Sequence, residues 1–284
     1  MPLVSGSTLF AAAERDGYAV GAFNVNNLES LTAIVAAAEG ERSPVILQAS
    51  QGAIKYAGLE YIVAMAQVAA ARASVPVALN LDHGTSFAQA MQCIRGGFSA
   101  VMVDGSRLSF EENAALVRRV VEVAHAVGVS VEAELGRIGG TEDDISVSER
   151  EATFTDPETA ARFVAETGCD ALAVAVGTAH GVYKGEPRLD FDRLAEIDRR
   201  VDIPLVLHGA SGVPDEAIRE AVRLGVRKIN IDTEIRLAFA GAVRAKLAED
   251  EKVYDPREIL GPARQAMEQV VREKIRLFGS AGRA

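Results

Sequence analysis

Val20-Gly21-Ala22-Phe23-Asn24-Val25-Asn26-Asn27 begins as a short apolar run and ends in a polar turn. A strand buried on both faces of a parallel sheet reads this way. The turn decides the fold. A doubly wound sheet that binds a dinucleotide carries a glycine-rich turn after its first strand, and Ala22-Phe23-Asn24-Val25-Asn26-Asn27 is not one.

The same alternation continues outward from this stretch. Further apolar runs at 44–50, 76–82, 100–104, 130–136, 171–177, 204–209 and 228–233 join 20–24 as expected strands. Amphipathic segments at 28–39, 59–72, 87–95, 111–127, 157–167, 190–200, 214–224 and 235–248 alternate with them as expected helices. Asp156-Pro157 and Val213-Pro214-Asp215 supply helix-start signals. Eight strand–helix pairs predict an α/β fold, a closed (β/α)₈ TIM barrel spanning 1–284 as one domain, with an N-terminal helix and a C-terminal helical extension at 262–278. Residues 136–153 form a connection too long and polar for an ordinary strand–helix turn. The pair Gly139-Gly140 is read there as the joint of a lid.

Composition narrows the function. The chain has 284 residues, 49% hydrophobic and 25% charged, enough for a well-buried core. Charges break every apolar run before 18 residues, so no membrane span is expected, and the N-terminus has no basic-then-apolar secretory pattern. Cys93 and Cys169 lie far apart in apolar surroundings, which suits buried thiols and a cytoplasmic setting. A net charge of −10 argues against nucleic acid and anionic lipid as partners. It also repels anionic substrates at long range, so any phosphate site must be built locally.

Barrel enzymes place their chemistry at the C-terminal ends of the strands. There this chain sets Asn24, Ser50, Asp82, His83, Asp104, Glu134, His180, His208 and Asp232. Three of its four histidines follow strands three, six and seven, each with a glycine after it, whereas His125 falls inside a helix. Three imidazoles at one rim describe a catalytic zinc site with an open position. Asp82 directly precedes one of them and reads as an acid/base or as a support for His83. Asp104 and Glu134 either hold a second or displaced metal ion or orient the imidazoles. Glu142, beside Asp143 and Asp144, reads locally as a solvated charge. His208-Gly209-Ala210-Ser211-Gly212 and Asn230-Ile231-Asp232-Thr233 supply small residues and a helix start where barrels commonly bind phosphate.

Taken in order, these segments resemble the class II fructose-bisphosphate and tagatose-bisphosphate aldolases over essentially the whole chain. Gly21-Ala22-Phe23-Asn24, Leu81-Asp82-His83-Gly84, Val131-Glu132-Ala133-Glu134-Leu135-Gly136 and Gly139-Gly140-Thr141-Glu142-Asp143-Asp144 carry the resemblance. So do Gly177-Thr178-Ala179-His180-Gly181, Leu207-His208-Gly209-Ala210-Ser211-Gly212, Lys228-Ile229-Asn230-Ile231-Asp232-Thr233 and Asp255-Pro256-Arg257.

The resemblance implies a zinc-dependent aldehyde-lyase that cleaves a ketose 1,6-bisphosphate through an enediolate into dihydroxyacetone phosphate and glyceraldehyde 3-phosphate. It implies zinc on His83, His180 and His208, with Asp104 and Glu134 matching positions that can hold a second divalent ion. It gives Asp82 the proton of the hydroxyl at the new carbon–carbon bond, and Glu142 the triose carbon proton. Gly181, Gly209, Ala210, Ser211, Asn230, Ile231, Asp232 and Thr233 match contacts to dihydroxyacetone phosphate. Asn24 and Ser50 match residues near the aldehyde half. Arg257 matches an arginine that reaches the far phosphate from a neighbouring subunit, which implies a homodimer or homotetramer. Family members also respond to a monovalent cation.

Fructose-type relatives usually carry an acid at the position of Asp232, where tagatose-type relatives often have alanine. Fructose 1,6-bisphosphate is therefore the expected substrate and its tagatose epimer the alternative. Asp232 reads equally well as a helix N-cap.

Rival chemistries fit less of the sequence. A Schiff-base aldolase needs a lysine at the rim, yet of Lys55, Lys184, Lys228, Lys246, Lys252 and Lys274 only Lys228 falls on an expected strand, at its starting end. A zinc hydrolase would not need the paired phosphate loops. A non-catalytic sugar-phosphate binder would not need Asp82 beside an open metal site.

Overall fold

A computed structural model of the chain describes residues 3–142, 145–148, 152–183 and 185–284. Helix α1 (Gly6–Asp16) leads into β1 (Val20–Asn24), α2 (Leu28–Glu41) and β2 (Val45–Ser50). The chain continues through α3 (Gln51–Ala57), α4 (Leu59–Arg72), β3 (Val77–Gly84), α5 (Phe87–Gly96), β4 (Ala100–Val103), α6 (Phe110–Ala126) and β5 (Ser130–Leu135). A hairpin, β6 (Gly139–Glu142) and β7 (Ile145–Val147), precedes α7 (Pro157–Thr167), β8 (Ala171–Val174) and β9 (Ala179–His180). Then come α8 (Phe191–Asp198), β10 (Leu205–Leu207), α9 (Asp215–Arg223), β11 (Val226–Ile231), α10 (Thr233–Glu249) and α11 (Pro256–Leu277).

Eight of these strands close a parallel barrel in the order β1-β11-β10-β8-β5-β4-β3-β2. The expected (β/α)₈ architecture is therefore the one observed. The Asn26-Asn27 turn starts α2: Asn27 accepts from the backbone of Ser30, whose hydroxyl reaches back to complete a capping box. Ser86, Ser109 and Asp156 likewise accept from backbone N–H groups at the starts of α5, α6 and α7, Ser109 within a capping box.

Alternate positions on each strand face opposite ways and build two cores. Phe23, Leu47, Leu79, Val101, Val131, Leu172, Leu207 and Ile229 pack outward against the helices. Val20, Ala22, Ile46, Ala78, Met102, Ala171, Ala173 and Val206 fill the lower barrel interior. There they meet Leu9, Phe10 and Ala13 of α1, which plugs the floor. Ser130 adds a buried hydroxyl at this floor, accepting from the backbone N–H of Gly6 in α1.

Three boundaries differ from the sequence reading. The last barrel strand starts at Val226, so Lys228 is its third residue. Helix α11 starts at Pro256 because Asp255 caps it and proline suits the first turn, and Pro262 is accommodated inside it. The long connection forms β6 and β7, with β6 also pairing β9 in a small rim sheet. Gly140 is required there for steric reasons. It lies opposite His180 with φ of 97°, and a Cβ would meet the His180 carbonyl oxygen at 2.1 Å. Among the described residues no helix is long and apolar enough to cross a membrane.

Candidate active site

Asp82 and His83 are consecutive, so a regular strand would send them to opposite faces. Here β3 carries one extra residue relative to β4: Leu81 pairs Val101, but Gly84 pairs Val103. His83 adopts a left-handed φ of 49° within this bulge. A bulge re-aims side chains in this way, and both Asp82 and His83 reach the barrel mouth. Gly84 lets the bulge close on β4, since a Cβ there would meet the Met102 carbonyl oxygen at 2.8 Å. The glycine after His208 is likewise explained by contact within the chain, because its Cβ would meet the Ala179 carbonyl oxygen at 2.6 Å. Of the three, Gly181 is the least crowded, its Cβ position meeting nothing nearer than the Thr141 carbonyl oxygen at 3.5 Å.

His83, His180 and His208 converge. One ring nitrogen from each lies within 4.8 Å of the others, and Nε2 of His83 stands 3.0 Å from Nδ1 of His208. His83 and His208 are buried, while His180 is part-buried at the mouth. The other nitrogen of His83 meets Oδ2 of Asp104 at 3.0 Å. His83, Asp104 and Glu134 thus form a second convergent cluster that shares one histidine with the first. Asp104 also accepts from the hydroxyl and backbone N–H of Ser106. Burial alone would raise its pKa, but the hydrogen bonds and charge of His83, with those of Ser106, hold it below the usual carboxylate range. Glu134 moves the other way, pushed well up by burial and by the charge of Asp104. Its Oε2 is buried with no hydrogen-bond partner among the described residues.

Asp82 sits in a cradle of amides. Asn24 Nδ2 donates to it at 2.8 Å, Asn230 Nδ2 at 3.3 Å and Gln48 Nε2 at 3.4 Å. Beneath His208 lies a buried ion pair. His208 Nε2 meets Glu132 Oε1 at 2.8 Å, and Lys228 Nζ donates to Glu132 Oε2 at 2.5 Å. Burial would raise the Glu132 pKa, yet the Lys228 charge and the His208 hydrogen bond bring it down to about 2. Burial likewise pulls His208 down to about 4, against the opposing pull of Glu132. Lys228 is therefore interior, not terminal as its expected strand suggested, and its amine is committed to a carboxylate.

Beside the histidines a small cavity of about 60 Å³ is lined by Thr141, His180, Gly181, Gly209, Ala210, Ser211, Asn230, Asp232, Thr233 and Arg236. The two small-residue turns named in the sequence meet here, at the N-terminus of α10. Asp232 occupies the N-cap position but makes no capping hydrogen bond. Its carboxylate instead pairs with Arg236 at 2.7 Å.

Ser50 stands beside Asp82 in the β2–β3 register. Ile231 is buried in the outer core, and Ser50 accepts from the Ala53 backbone at the start of α3. Arg257, 90% exposed, pairs with Asp255 and is not among the residues lining the cavity. Glu142 ends β6, but its side chain, with Asp143 and Asp144, is outside the described set. His125 pairs with Asp170 at 2.8 Å, away from the cluster. Gln48, Glu132, Lys228 and Arg236 were given no site role by the sequence reading, although a period-two count along strands already placed at the rim reaches the first three.

The family model for "Fructose-bisphosphate aldolase class-II" matches residues 4–283. The chain belongs to this family. A fructose-bisphosphate aldolase from Thermus caldophilus is 48% identical over 308 aligned positions, covering 99% of this chain and all of that one. The YdjI aldolase of Escherichia coli K12 superposes with a TM-score of 0.88 at 36% identity, over 99% of both chains. A putative fructose-1,6-bisphosphate aldolase from Coccidioides immitis gives 0.88 at 34% identity, over 98% of this chain and 96% of its own. As a class II fructose-bisphosphate aldolase family member the chain is an aldehyde-lyase by type. Its donor set fits the group's metal dependence: three imidazoles with a ring nitrogen each within 4.8 Å of the others, backed by carboxylates.

Proposed function

We propose that the chain cleaves fructose 1,6-bisphosphate reversibly to dihydroxyacetone phosphate and glyceraldehyde 3-phosphate, with zinc held by His83, His180 and His208. The observation that carries this reading is the adjacency of the histidine cluster to the cavity at the α10 N-terminus, which His180 and Asn230 both line. Metal and phosphate sites side by side suit a phosphorylated ketone whose carbonyl lies next to the histidines. A metal ion there would polarise the carbonyl and acidify the neighbouring C–H.

The chain's own residues do the rest. Backbone N–H groups of Gly209 to Ser211 and the start of α10 hold the phosphate nearest the ketone. In cleavage Asp82 takes the proton from the C4 hydroxyl as the carbon–carbon bond breaks, and its amide cradle keeps the carboxylate oriented. In condensation it returns that proton. Glu142 moves the proton at the triose carbon. Asp104 supports His83 from behind rather than binding a second ion, a role favoured by its 3.0 Å contact with the nitrogen that faces away from His208. Arg257 completes the far phosphate site from a second copy in a homodimer or homotetramer. Two buried thiols support a cytoplasmic location.

A coupled triose-phosphate assay tests the reading. Cleavage of fructose 1,6-bisphosphate is expected, with loss on chelation and return on adding zinc. Borohydride with dihydroxyacetone phosphate should leave the chain's mass unchanged. Full turnover by metal-free protein would refute it.

A further inference from the structure

Lys228 and Glu132 are charged groups sealed inside the barrel, with Lys228 1% and Glu132 4% exposed, directly beneath a fully buried His208. Burying two ions costs several kcal/mol unless each finds partners, and well-packed apolar residues would serve stability as well or better. The barrel positions in register with them are filled that way, by Ala171 and Met102 beside Glu132 and by Val20 and Val206 beside Lys228. The pair is therefore out of keeping with its neighbours across the sheet. Its geometry shows what it touches: one carboxylate oxygen takes the lysine ammonium at 2.5 Å, and the other takes His208 Nε2 at 2.8 Å.

We propose that Glu132 is the positioning residue of His208, that Lys228 anchors Glu132 in the barrel, and that together they set the metal affinity of the site. This rests on the three-histidine metal reading. A neutral imidazole carries its proton on one nitrogen only. An acidic acceptor at Nε2 holds the proton there and leaves the lone pair on Nδ1, the nitrogen that faces His83. Without that acceptor the other tautomer would point an N–H at the place an ion must occupy. Lys228 fixes the second carboxylate oxygen, so Glu132 cannot swing away from the ring. It also balances the charge of Glu132 before any cation binds. This explains why a lysine stands inside an aldolase barrel with no amine free for covalent chemistry.

The test measures zinc affinity by competition with a chromophoric chelator, and the His208 tautomer by ¹⁵N–¹H correlation of metal-free protein. Two charge-balanced double variants avoid leaving one buried ion unpaired: Glu132→Gln with Lys228→Met, and Glu132→Leu with Lys228→Met. Wild type should show the proton fixed on Nε2. The Leu variant should bind zinc about 10–100-fold more weakly and show mixed tautomers, while its metal-free urea midpoint stays near wild type. The Gln variant keeps a neutral acceptor and should fall between the two, so it decides the matter if the Leu variant does not fold. Wild-type zinc affinity and tautomer in whichever variants fold would overturn this inference alone. Failure of the wild type to bind zinc would overturn the metal reading beneath it.

Discussion

Nε2 of His83 and Nδ1 of His208 face each other at 3.0 Å, each ring held from behind by a carboxylate, Asp104 in one case and Glu132 in the other. The arrangement has a consequence for the metal-free protein in acid. The His208 pKa is lowered by burial from an ordinary 6.5 to about 4. Between those values the unfolded chain binds more protons than the folded one, so stability rises with pH across the window. Glu134, raised by burial, acts oppositely, contributing stability below 4.5 that is lost as pH rises. Comparing wild type with His208→Gln isolates the histidine. Urea melts of chelated protein should give wild type a gain from pH 4 to 6.5 that exceeds the variant's by on the order of 3 kcal/mol. Parallel pH profiles would mean that His208 is not held neutral by its surroundings.

Asp82 and Glu142 separate by half-reaction. Asp82 is locked among Asn24, Gln48 and Asn230 at the C4 side of the proposed chemistry, whereas Glu142 lies at the end of β6. Asp82→Ala is expected to lower cleavage by at least a hundredfold while sparing part of the proton exchange on dihydroxyacetone phosphate. Glu142→Ala should depress the exchange as well. Small and equal losses in both assays would move these carboxylates out of the proton-transfer steps.

Much of this site was readable before any coordinates, and the unreadable part has a physical reason. Strand ends are marked by the switch from apolar to polar residues, so His83, His180, His208, Asp104 and Glu134 could be placed at one rim. Pairing was less visible. Whether Asp82 and His83 share a face depends on a bulge defined against β4, and nothing in Leu81-Asp82-His83-Gly84 states the register. Lys228 was misplaced because its strand begins two residues earlier, at Val226, in a stretch with an arginine in its middle. The start of α11 was missed for a related reason: Pro262 outweighed Asp255-Pro256, although the latter has the cap geometry.

Arg257 projects into solvent in the single chain, where it pairs with Asp255, so a role at the substrate requires a second copy. Arg257→Ala should raise KM for the bisphosphate more than for the ketose 1-phosphate. An enclosed, charge-assisted phosphate contact is worth about 1.5–3 kcal/mol, roughly 10–150-fold. Steady-state kinetics on both substrates read the difference directly. Equal effects on the two would assign Arg257 to the α11 cap instead.

Sugar choice turns on Asp232. Fructose and tagatose 1,6-bisphosphates differ only in configuration at C4, so pocket volume cannot separate them and the placement of polar groups must. A site that hydrogen-bonds one epimer leaves those groups unpaired against the other, which can penalise it strongly. Asp232 is suited to this because it is not used as a cap: α10 begins without a side-chain hydrogen bond from it. Its carboxylate is instead turned onto Arg236 at 2.7 Å, and both residues line the cavity beside His180. An acid fixed by an arginine presents its charge in one direction, as stereochemical discrimination requires. Steady-state kcat/KM should therefore favour the fructose epimer at least tenfold, about 1.4 kcal/mol in the transition state. Asp232→Ala should narrow that gap mainly by lowering turnover of the fructose epimer, leaving zinc binding unchanged. A wild-type preference for tagatose 1,6-bisphosphate would reverse the choice of sugar without touching the aldolase assignment, because the histidine cluster and the phosphate turns are indifferent to C4.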